Sequence, residues 1–244
     1  METPNVISQT DDIEFAALSE ARNYRAALLA EFAPFLRGNV LEVGAGIGQF
    51  SEAIHAFLEV RRLVCVEPEP RFCDKFRALH PELSLVPGTV DEVPAGTDWD
   101  AILCINVLEH IREDQTELAK YHGRLAGNHG HLCLFVPARP EIYAPIDQDF
   151  GHFRRYVKAG LGQQLRQAGF EIVTLEYFNC VGYLAWWLNF CVLKKRGFDV
   201  PSVRLFDRVI FPVVHGLESR ICRPPLGQSL LAVARAVPRV GSQG

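Results

Sequence analysis

The stretch VLEVGAGIGQF, at residues 40–50, decides the predicted fold. An apolar strand runs directly into Gly44, Gly46 and Gly48, and a helical pattern follows at once. Glycines at such a junction let the chain turn sharply, so that backbone N–H groups and a helix N-terminus can approach a ligand. The pattern predicts a ligand-binding turn between a strand and a helix. The alternative is a tight turn that binds nothing.

Acidic residues near this turn indicate the kind of ligand. Glu42 stands just before the turn, and Gln49 occupies the position where a dinucleotide-binding fingerprint has its third glycine. This arrangement suits an amine better than a pyrophosphate. Glu67 ends the next predicted strand, where a carboxylate can accept hydrogen bonds from both ribose hydroxyls of an adenosine. Alone, Glu67 would be interpreted as a solvated loop charge; together the two motifs predict a nucleoside ligand.

Short apolar strands alternate with helices over most of the chain, which predicts a mostly parallel sheet. An amphipathic helix or helix pair at 15–36 precedes the first strand. After the sixth strand the alternation breaks, and residues 179–227 form a predicted insertion. The predicted strands are NVLEV, RLVCV, LSLVP, DAILCIN, GHLCLFVP, FEIVTLEYF and SLLAVARA, with helices at about 48–58, 70–79, 113–125 and 158–168.

Composition excludes several classes of protein. The 244 residues are enough for one α/β domain, and 48% apolar and 22% charged residues are typical of a globular chain. The net charge is −4 and the 25 basic residues are scattered, so no nucleic-acid partner is expected. Seven cysteines without metal-ligand spacing predict core residues in a reducing compartment. Because no secretory signal and no window of about 18 apolar residues is found, we expect a cytoplasmic protein.

From residue 40 to residue 136 the sequence resembles the class I S-adenosylmethionine-dependent methyltransferases, and the strand spacing matches to the last strand. In that family the Glu-x-Gly-x-Gly-x-Gly turn wraps the methionine part of the cofactor, and a carboxylate after the second strand holds the ribose. The resemblance therefore implies cofactor-binding roles for Glu42, Gly44, Gly46, Gly48 and Glu67.

The segment GTVDEVP, at 88–94, looks like the part of that family which flanks the adenine ring. The family often has Asp directly after the glycine, but Thr89 occupies this place here. The resemblance leaves open which of Thr89, Val90 and Asp91 meets the adenine.

The segment DAILCINVLEHIRED, at 100–114, resembles the Asn/Ser-x-Leu-Glu-His segment of ubiquinone-type and related small-molecule methyltransferases. This resemblance implies that Asn106 and Val107 lie at the reactive end of the cofactor and that Glu109 contacts the substrate. His110 is a candidate general base, because an imidazole with a pKa of about 6.5 can take a proton from a hydroxyl. A helix cap or a structural hydrogen bond is the alternative for His110.

The segment DQDFGHFRRYVKAG, at 147–160, resembles a Gly-His-x-Arg-Arg-Tyr motif of some bacterial methyltransferases. His152 is then a second candidate base, and Arg154, Arg155 and Tyr156 are candidate substrate ligands, since arginine can hold a carboxylate or phosphate. A lid that is fixed to the body by arginine salt bridges is the alternative.

An aromatic and basic stretch lies inside the insertion, at residues 183–196. It contains YLAWWLNFCVL and continues into Lys194, Lys195 and Arg196. Such a pairing favours contact with a membrane surface or a lipid-linked substrate. A helix that is buried against the sheet, or a homodimer interface, is the alternative.

These observations predict a doubly wound, seven-stranded α/β sheet of Rossmann-like form with an antiparallel last strand. Residues 1–37 form an N-terminal helical lid, 38–178 the cofactor-binding core, 179–227 a helical insertion and 228–237 the last strand. The predicted activity is methyl transfer from S-adenosylmethionine to an oxygen of a small-molecule or lipid-linked acceptor. No metal-ligand cluster is expected. Two alternatives remain, a nicotinamide-dependent oxidoreductase and a non-catalytic protein that binds cofactor or docks on a membrane.

Overall fold

The computed structural model describes residues 19–220 and 224–238, with the side chains of 219 and 220 excepted. The first part of the predicted N-terminal lid, up to residue 18, lies outside the described residues. Within these residues one sheet of seven strands has the order β3-β2-β1-β4-β5-β7-β6. The strands are β1 (Gly38–Val43), β2 (Val60–Glu67), β3 (Ser84–Pro87), β4 (Ala101–Ile105), β5 (His131–Pro137), β6 (Phe170–Phe178) and β7 (Ser229–Ala236).

The last strand runs against its neighbours. β7 lies between β5 and β6 and pairs antiparallel with both, whereas β1 to β5 pair in parallel. The predicted seven strands and antiparallel last strand are confirmed. Because β1 has β2 on one side and β4 on the other, the strand order reverses there, and ligands of such sheets bind beyond the carboxyl ends at this reversal.

Helices cover both faces of the sheet and close its carboxyl edge. Those of the core are α1 (Arg22–Phe32), α2 (Gln49–Phe57), α3 (Pro70–Leu79), α4 (Asp114–Leu125), α5 (Pro145–Asp149) and α6 (Lys158–Ala168). Two continuous helices follow β6. The first is α7 (Cys180–Trp186), which continues as a π-helix to Val192. The second begins as α8 (Val200–Leu205), continues as a π-helix to Ile210 and ends as α9 (Phe211–Arg220). None of the helices in the described part of the chain is long and apolar enough to cross a bilayer.

Two apolar cores follow from the alternation of side chains along each strand. In β4, Ile102 and Cys104 enter one core, while Ala101 and Leu103 enter the core on the opposite face. A strand buried on both faces must be apolar throughout, which explains the continuous apolar run AILCI. The predicted core role of the strand cysteines is also confirmed, since Cys104 and its counterparts in β2 and β5 are buried free thiols.

The helix α1 is anchored to the insertion as well as to the sheet. Asp207 is buried and its carboxylate accepts hydrogen bonds from the backbone N–H groups of Asn23 (3.0 Å) and Tyr24 (2.8 Å). The ring of Tyr24 packs edge-on against Phe178 at the end of β6, with centroids 5.4 Å apart. The start of α1 is thereby fixed over the carboxyl edge of the sheet.

Candidate active site

The glycine turn is packed between the ends of β1, β2 and β4. The backbone N–H of Gly44 donates to the carbonyl of Val66 (2.9 Å), and Gly44 has a φ of +74°. A Cβ atom at Gly44 would lie 2.2 Å from Cγ2 of Val107, which follows β4. Both the positive φ and this close approach require glycine. The sequence therefore makes the chain turn at the point where the strand order reverses.

Glu67 joins the turn to the end of β2. Its Oε2 accepts a hydrogen bond from the backbone N–H of Gly46 (2.8 Å), and its Oε1 accepts one from that of Glu69 (2.9 Å). The residue is buried, so these bonds fix the carboxylate at the rim of the crevice. A carboxylate oxygen can accept more than one hydrogen bond, so this geometry is compatible with hydroxyl donors on a ligand.

Glu42 is a buried carboxyl group at the end of β1. Ser51 of α2 donates a hydrogen bond to its Oε2 (2.5 Å), and the thiol of Cys65 lies 3.6 Å from the same atom. Burial is the main cause that raises the pKa of Glu42 to about 7, and the negative charge of Glu67 adds to it. Glu42 can therefore gain or lose a proton near neutral pH.

We expect the stability of the ligand-free protein to depend on this group. The pKa of Glu42 is about 7 in the folded protein and about 4.5 in the unfolded chain, so the stability it contributes is lost as the pH rises from 5 to 8. Glu42→Gln removes this loss and should gain roughly 5 °C or more in Tm relative to the parent over that range. Thermal unfolding at several pH values measures it. Glu52→Gln, at an exposed position of α2, is the matched control, and an equal pH dependence in all three proteins would contradict the prediction.

The segment that follows β3 forms a 3-10 turn at Val90–Glu92. The Thr89 hydroxyl accepts a hydrogen bond from the backbone N–H of Asp91 (3.3 Å), and the Thr89 backbone N–H donates to the carboxylate of Glu92 (2.6 Å). Asp91 pairs with Lys120 (2.5 Å), and the Val90 side chain is buried in the core. These contacts hold the turn in place, and the roles of Thr89, Val90 and Asp91 toward a ligand stay predictions.

The end of β4 connects the glycine turn to a large cavity. Asn106 has a φ of +51°, and its backbone N–H donates to the carbonyl of Phe135 (2.9 Å). Asn106 lines the cavity, whereas its neighbour Val107 lies against the glycine turn. The glycine turn and the cavity are therefore adjacent at the end of β4.

The cavity has a volume of about 430 Å³ and lies between the carboxyl edge of the sheet and the insertion helices. Its wall is mostly apolar and includes polar side chains, which is typical of a site for a small organic ligand. The aromatic residues of the wall are Tyr24, Phe135, Phe150, Trp186, Phe190, Phe198 and Phe206. The polar residues include Asn106, Glu109, His152, Arg155 and Asn179.

A buried network fixes His152 at this cavity. Oδ1 of Asp147 accepts a hydrogen bond from Nε of Arg155 (2.9 Å) and lies 3.0 Å from Nδ1 of His152. Arg155 also donates to the carbonyl of Ala138 (3.1 Å), and its guanidinium lies 4.3 Å from the centre of the Trp186 ring. Because a carboxylate only accepts, Nδ1 of His152 carries a proton, and Nε2 of the neutral ring is a proton acceptor.

The side chains of Glu109 and His110 lie next to His152. Nε2 of His152 is buried, has no hydrogen-bond partner among the described residues, and lies 4.0 Å from Oε1 of the buried Glu109. The ring of His110 lies edge-on to that of His152, with centroids 4.7 Å apart. Desolvation, followed by the neighbouring His152, lowers the pKa of His110, but this predicted base is an exposed residue and is not part of the cavity wall. The sequence spacing predicts no metal site, yet the fold brings Glu109, His110 and His152 together. Their potential metal-binding atoms lie within 4.8 Å of one another.

Two of the predicted substrate ligands are not brought to the cavity. Arg154 pairs with Asp114 at the start of α4 (2.7 Å), and the hydroxyl of Tyr156 lies within hydrogen-bond distance of the same carboxylate (3.0 Å) and of the carbonyl of Leu108 (3.2 Å). Arg155 does reach the cavity wall, where it is held by Asp147. Arg154 and Tyr156 brace α4, which corresponds to the structural alternative considered for this segment.

Two polar residues of the site were not predicted. Asp147 belongs to the same segment as His152, and an acidic residue before a histidine motif is the signal that could have found it. Asn179 directly follows β6, has a φ of +64°, and its side chain accepts a hydrogen bond from the backbone N–H of Gly182 (2.8 Å). A polar residue at the carboxyl end of a strand is the signal that would have found it.

Comparison with known proteins identifies the family of the chain. A family profile described as a methyltransferase domain matches residues 17–175, which is more than half of the chain. No curated protein matches the chain.

Solved structures share the fold at low identity. A chain of the complex between the Trm112 methyltransferase activator and a methyltransferase of Haloferax volcanii is 15% identical, with a TM-score of 0.63 over 98% of this chain and 100% of that one. An S-adenosylmethionine-dependent methyltransferase of Mesorhizobium loti is 17% identical, with a TM-score of 0.57 over 86% and 96%. The N-methyltransferase NodS of Bradyrhizobium japonicum, in complex with S-adenosylhomocysteine, is 16% identical, with a TM-score of 0.56 over 88% and 86%.

Proposed function

The chain belongs to the methyltransferase domain family, and we propose that it transfers a methyl group from S-adenosylmethionine to a hydroxyl oxygen of an apolar acceptor. The acceptor is a small molecule or a lipid-linked compound that fits the cavity of about 430 Å³. The observation that carries the proposal is the orientation of His152. His152 lines the cavity, Asp147 holds its Nδ1, and its buried Nε2 has no hydrogen-bond partner among the described residues, which leaves that nitrogen to accept a proton.

The residues of the glycine turn fit the cofactor. Gly44 and Gly46 have φ values of +74° and +56°, which allow the backbone to approach a ligand closely. The buried carboxylate of Glu67 is positioned to accept hydrogen bonds from ribose hydroxyls, and Glu42 lies beneath the turn where it can compensate the charge of the methionine amine. Asn106 and Val107 lie between this site and the cavity.

The chain itself has to align the acceptor, exclude water and receive a proton. The sulfonium of the cofactor supplies a methyl group that is already activated for in-line attack. Aromatic side chains of the cavity wall hold the apolar body of the acceptor and exclude water. Nε2 of His152 takes the hydroxyl proton, and the nearby Glu109 carboxylate stabilises the resulting charge. We assign His110 to contact with the acceptor, since its ring packs against His152.

A reducing, cytoplasmic location is part of the proposal. Its support is the free thiols of Cys65, Cys104 and Cys133, which are buried in the sheet.

The proposal is tested with methyl-labelled S-adenosylmethionine and matched pairs of acceptors. Alkylphenols and fatty alcohols are compared with the amines of the same carbon skeleton, and labelled product and S-adenosylhomocysteine are measured. We expect label in the hydroxyl compounds. Label in the amines alone would assign the reaction to nitrogen, and a protein that fails to bind S-adenosylhomocysteine would contradict the cofactor site.

The ribose contact makes a separate prediction. Glu67→Ala should weaken binding of S-adenosylhomocysteine by about 10- to 150-fold, because a hydrogen bond to a charged group contributes about 1.5–3 kcal/mol. Titration calorimetry measures the dissociation constant. Glu69→Ala is the matched control, because its carboxylate instead pairs with Arg71 (3.0 Å). An unchanged dissociation constant in folded Glu67→Ala would remove Glu67 from the cofactor site.

A further inference from the structure

The helices of the insertion are apolar on two faces. In α7 and its π-helical continuation, Trp186 and Phe190 are buried and pack against the loop that follows β5. On the other side Leu184, Trp187 and Leu188 are 47–58% exposed. A helix of a globular domain normally exposes a polar face to water, so an exposed apolar face indicates a further contact.

The second helix of the insertion repeats this pattern. Leu205, Val209, Val213 and Leu217 follow one another at four-residue spacing and are 53–64% exposed. This spacing places them along one stripe of a helix. The opposite side is buried through Phe211. We call the two exposed faces together the insertion surface.

The insertion surface carries basic charge in an acidic protein. Residues 184–217 contain five basic and two acidic residues, whereas the whole chain contains 25 basic and 29 acidic residues. Asp207 binds the start of α1, and Asp199 accepts a hydrogen bond from the backbone of Ser202 (3.1 Å). Two of the basic residues are paired outside the insertion, Arg196 with Asp149 and Arg204 with Glu20 (2.9 Å). Lys194 and Lys195 are exposed beside the apolar residues.

The insertion surface also surrounds the mouth of the cavity. Lys195, Leu205 and Ile210 line the cavity and are at the same time exposed to solvent. A residue that does both stands at the rim of an opening. The exposed apolar side chains therefore lie around the entrance through which an acceptor reaches His152.

We propose that the insertion surface docks on an anionic lipid bilayer and that the acceptor enters the cavity from that bilayer. Apolar side chains that include a tryptophan, with lysines beside them, match the acyl boundary and the anionic headgroups of such a surface. A second copy of the chain is a poorer occupant, because a two-fold dimer brings identical basic patches close together. The source of the acceptor rests on the proposed function, but docking itself does not.

The test is co-sedimentation with vesicles, in the absence of cofactor and acceptor. We expect binding to phosphatidylcholine vesicles with about 30% phosphatidylglycerol, much weaker binding to pure phosphatidylcholine, and release by added salt. Trp187→Ser/Leu188→Ser and Val209→Ser/Val213→Ser should each weaken binding to the anionic vesicles by at least about tenfold. None of these four residues lines the cavity.

Two controls separate docking from misfolding and from dimer formation. Phe57→Ser, at an exposed apolar residue of α2 outside the insertion, should bind vesicles like the parent. All variants should keep the parent's affinity for S-adenosylhomocysteine, which shows that they are folded.

Parent protein that fails to bind anionic vesicles, or variants that bind them equally well, would overturn the proposal. A dimer that the same variants dissociate, with no vesicle binding, would assign the surface to a second copy. Vesicle binding without methyl transfer would leave docking intact and count against the proposed function.

Discussion

Gly46→Val should abolish binding of S-adenosylhomocysteine. The φ of Gly46 is +56°, a conformation that is costly for a β-branched residue, and its N–H is bonded to Glu67 at 2.8 Å. Valine would therefore move the turn, displace the carboxylate, or place two methyl groups where the cofactor approaches. Titration calorimetry should find no binding, which corresponds to a loss of about 1000-fold or more in affinity.

The matched control separates local strain from loss of the site. Gly96 also has a positive φ, +88°, but a Cβ atom there meets nothing within 4 Å. Gly96→Val should cost stability through the same backbone strain and leave the affinity for S-adenosylhomocysteine unchanged. Gly46→Val that is folded by circular dichroism and binds normally would show that the cofactor is not held at this turn.

His152→Ala should lower kcat by about 100-fold or more while the affinity for S-adenosylhomocysteine stays near that of the parent, as is usual when a general base is lost. Asp147 holds Nδ1 of His152 at 3.0 Å, so Nε2 is the atom that receives the proton. Single-turnover kinetics with the acceptor found by the label assay measures the rate, and titration calorimetry measures the affinity.

Two other histidines provide the comparison. His110→Ala should act mainly on KM for the acceptor, because its ring packs edge-on against that of His152. His55→Ala, at an exposed position of α2, should change neither kcat nor KM. Near-normal turnover in His152→Ala and in the double variant His110→Ala/His152→Ala would show that the enzyme works by alignment of the reactants alone.

The strand pattern could be predicted because the interior strands of a parallel sheet are apolar on both faces. The run RLVCV lies within β2, the run DAILCIN spans β4, and the break in alternation after β6 corresponds to the helices of the insertion. The glycine turn was also predictable, since three glycines at a strand end are a local requirement of the backbone. Interactions of short range leave a periodic trace in the sequence.

The polar network could not be predicted, because its members are brought together by an irregular segment. Arg154, Arg155 and Tyr156 are adjacent in the sequence and chemically suited to the same substrate. Residues 152–157 form no helix, and Tyr156 pairs with Ala138 as a β-bridge, so side chains there alternate in direction. Arg155 consequently turns toward Asp147, and its two neighbours turn toward Asp114.

The sequence by itself determined the family, the order of strands and helices, and the glycine turn, because each depends on residues close together in the chain. Only the tertiary structure decided which histidine Asp147 orients, which arginine reaches the cavity, and that the aromatic stretch of the insertion has both a buried and an exposed face. These features depend on contacts between segments such as Asn23 and Asp207, which lie 184 positions apart. Such contacts leave no periodic trace, because their geometry is set by how the helices pack over the carboxyl edge of the sheet.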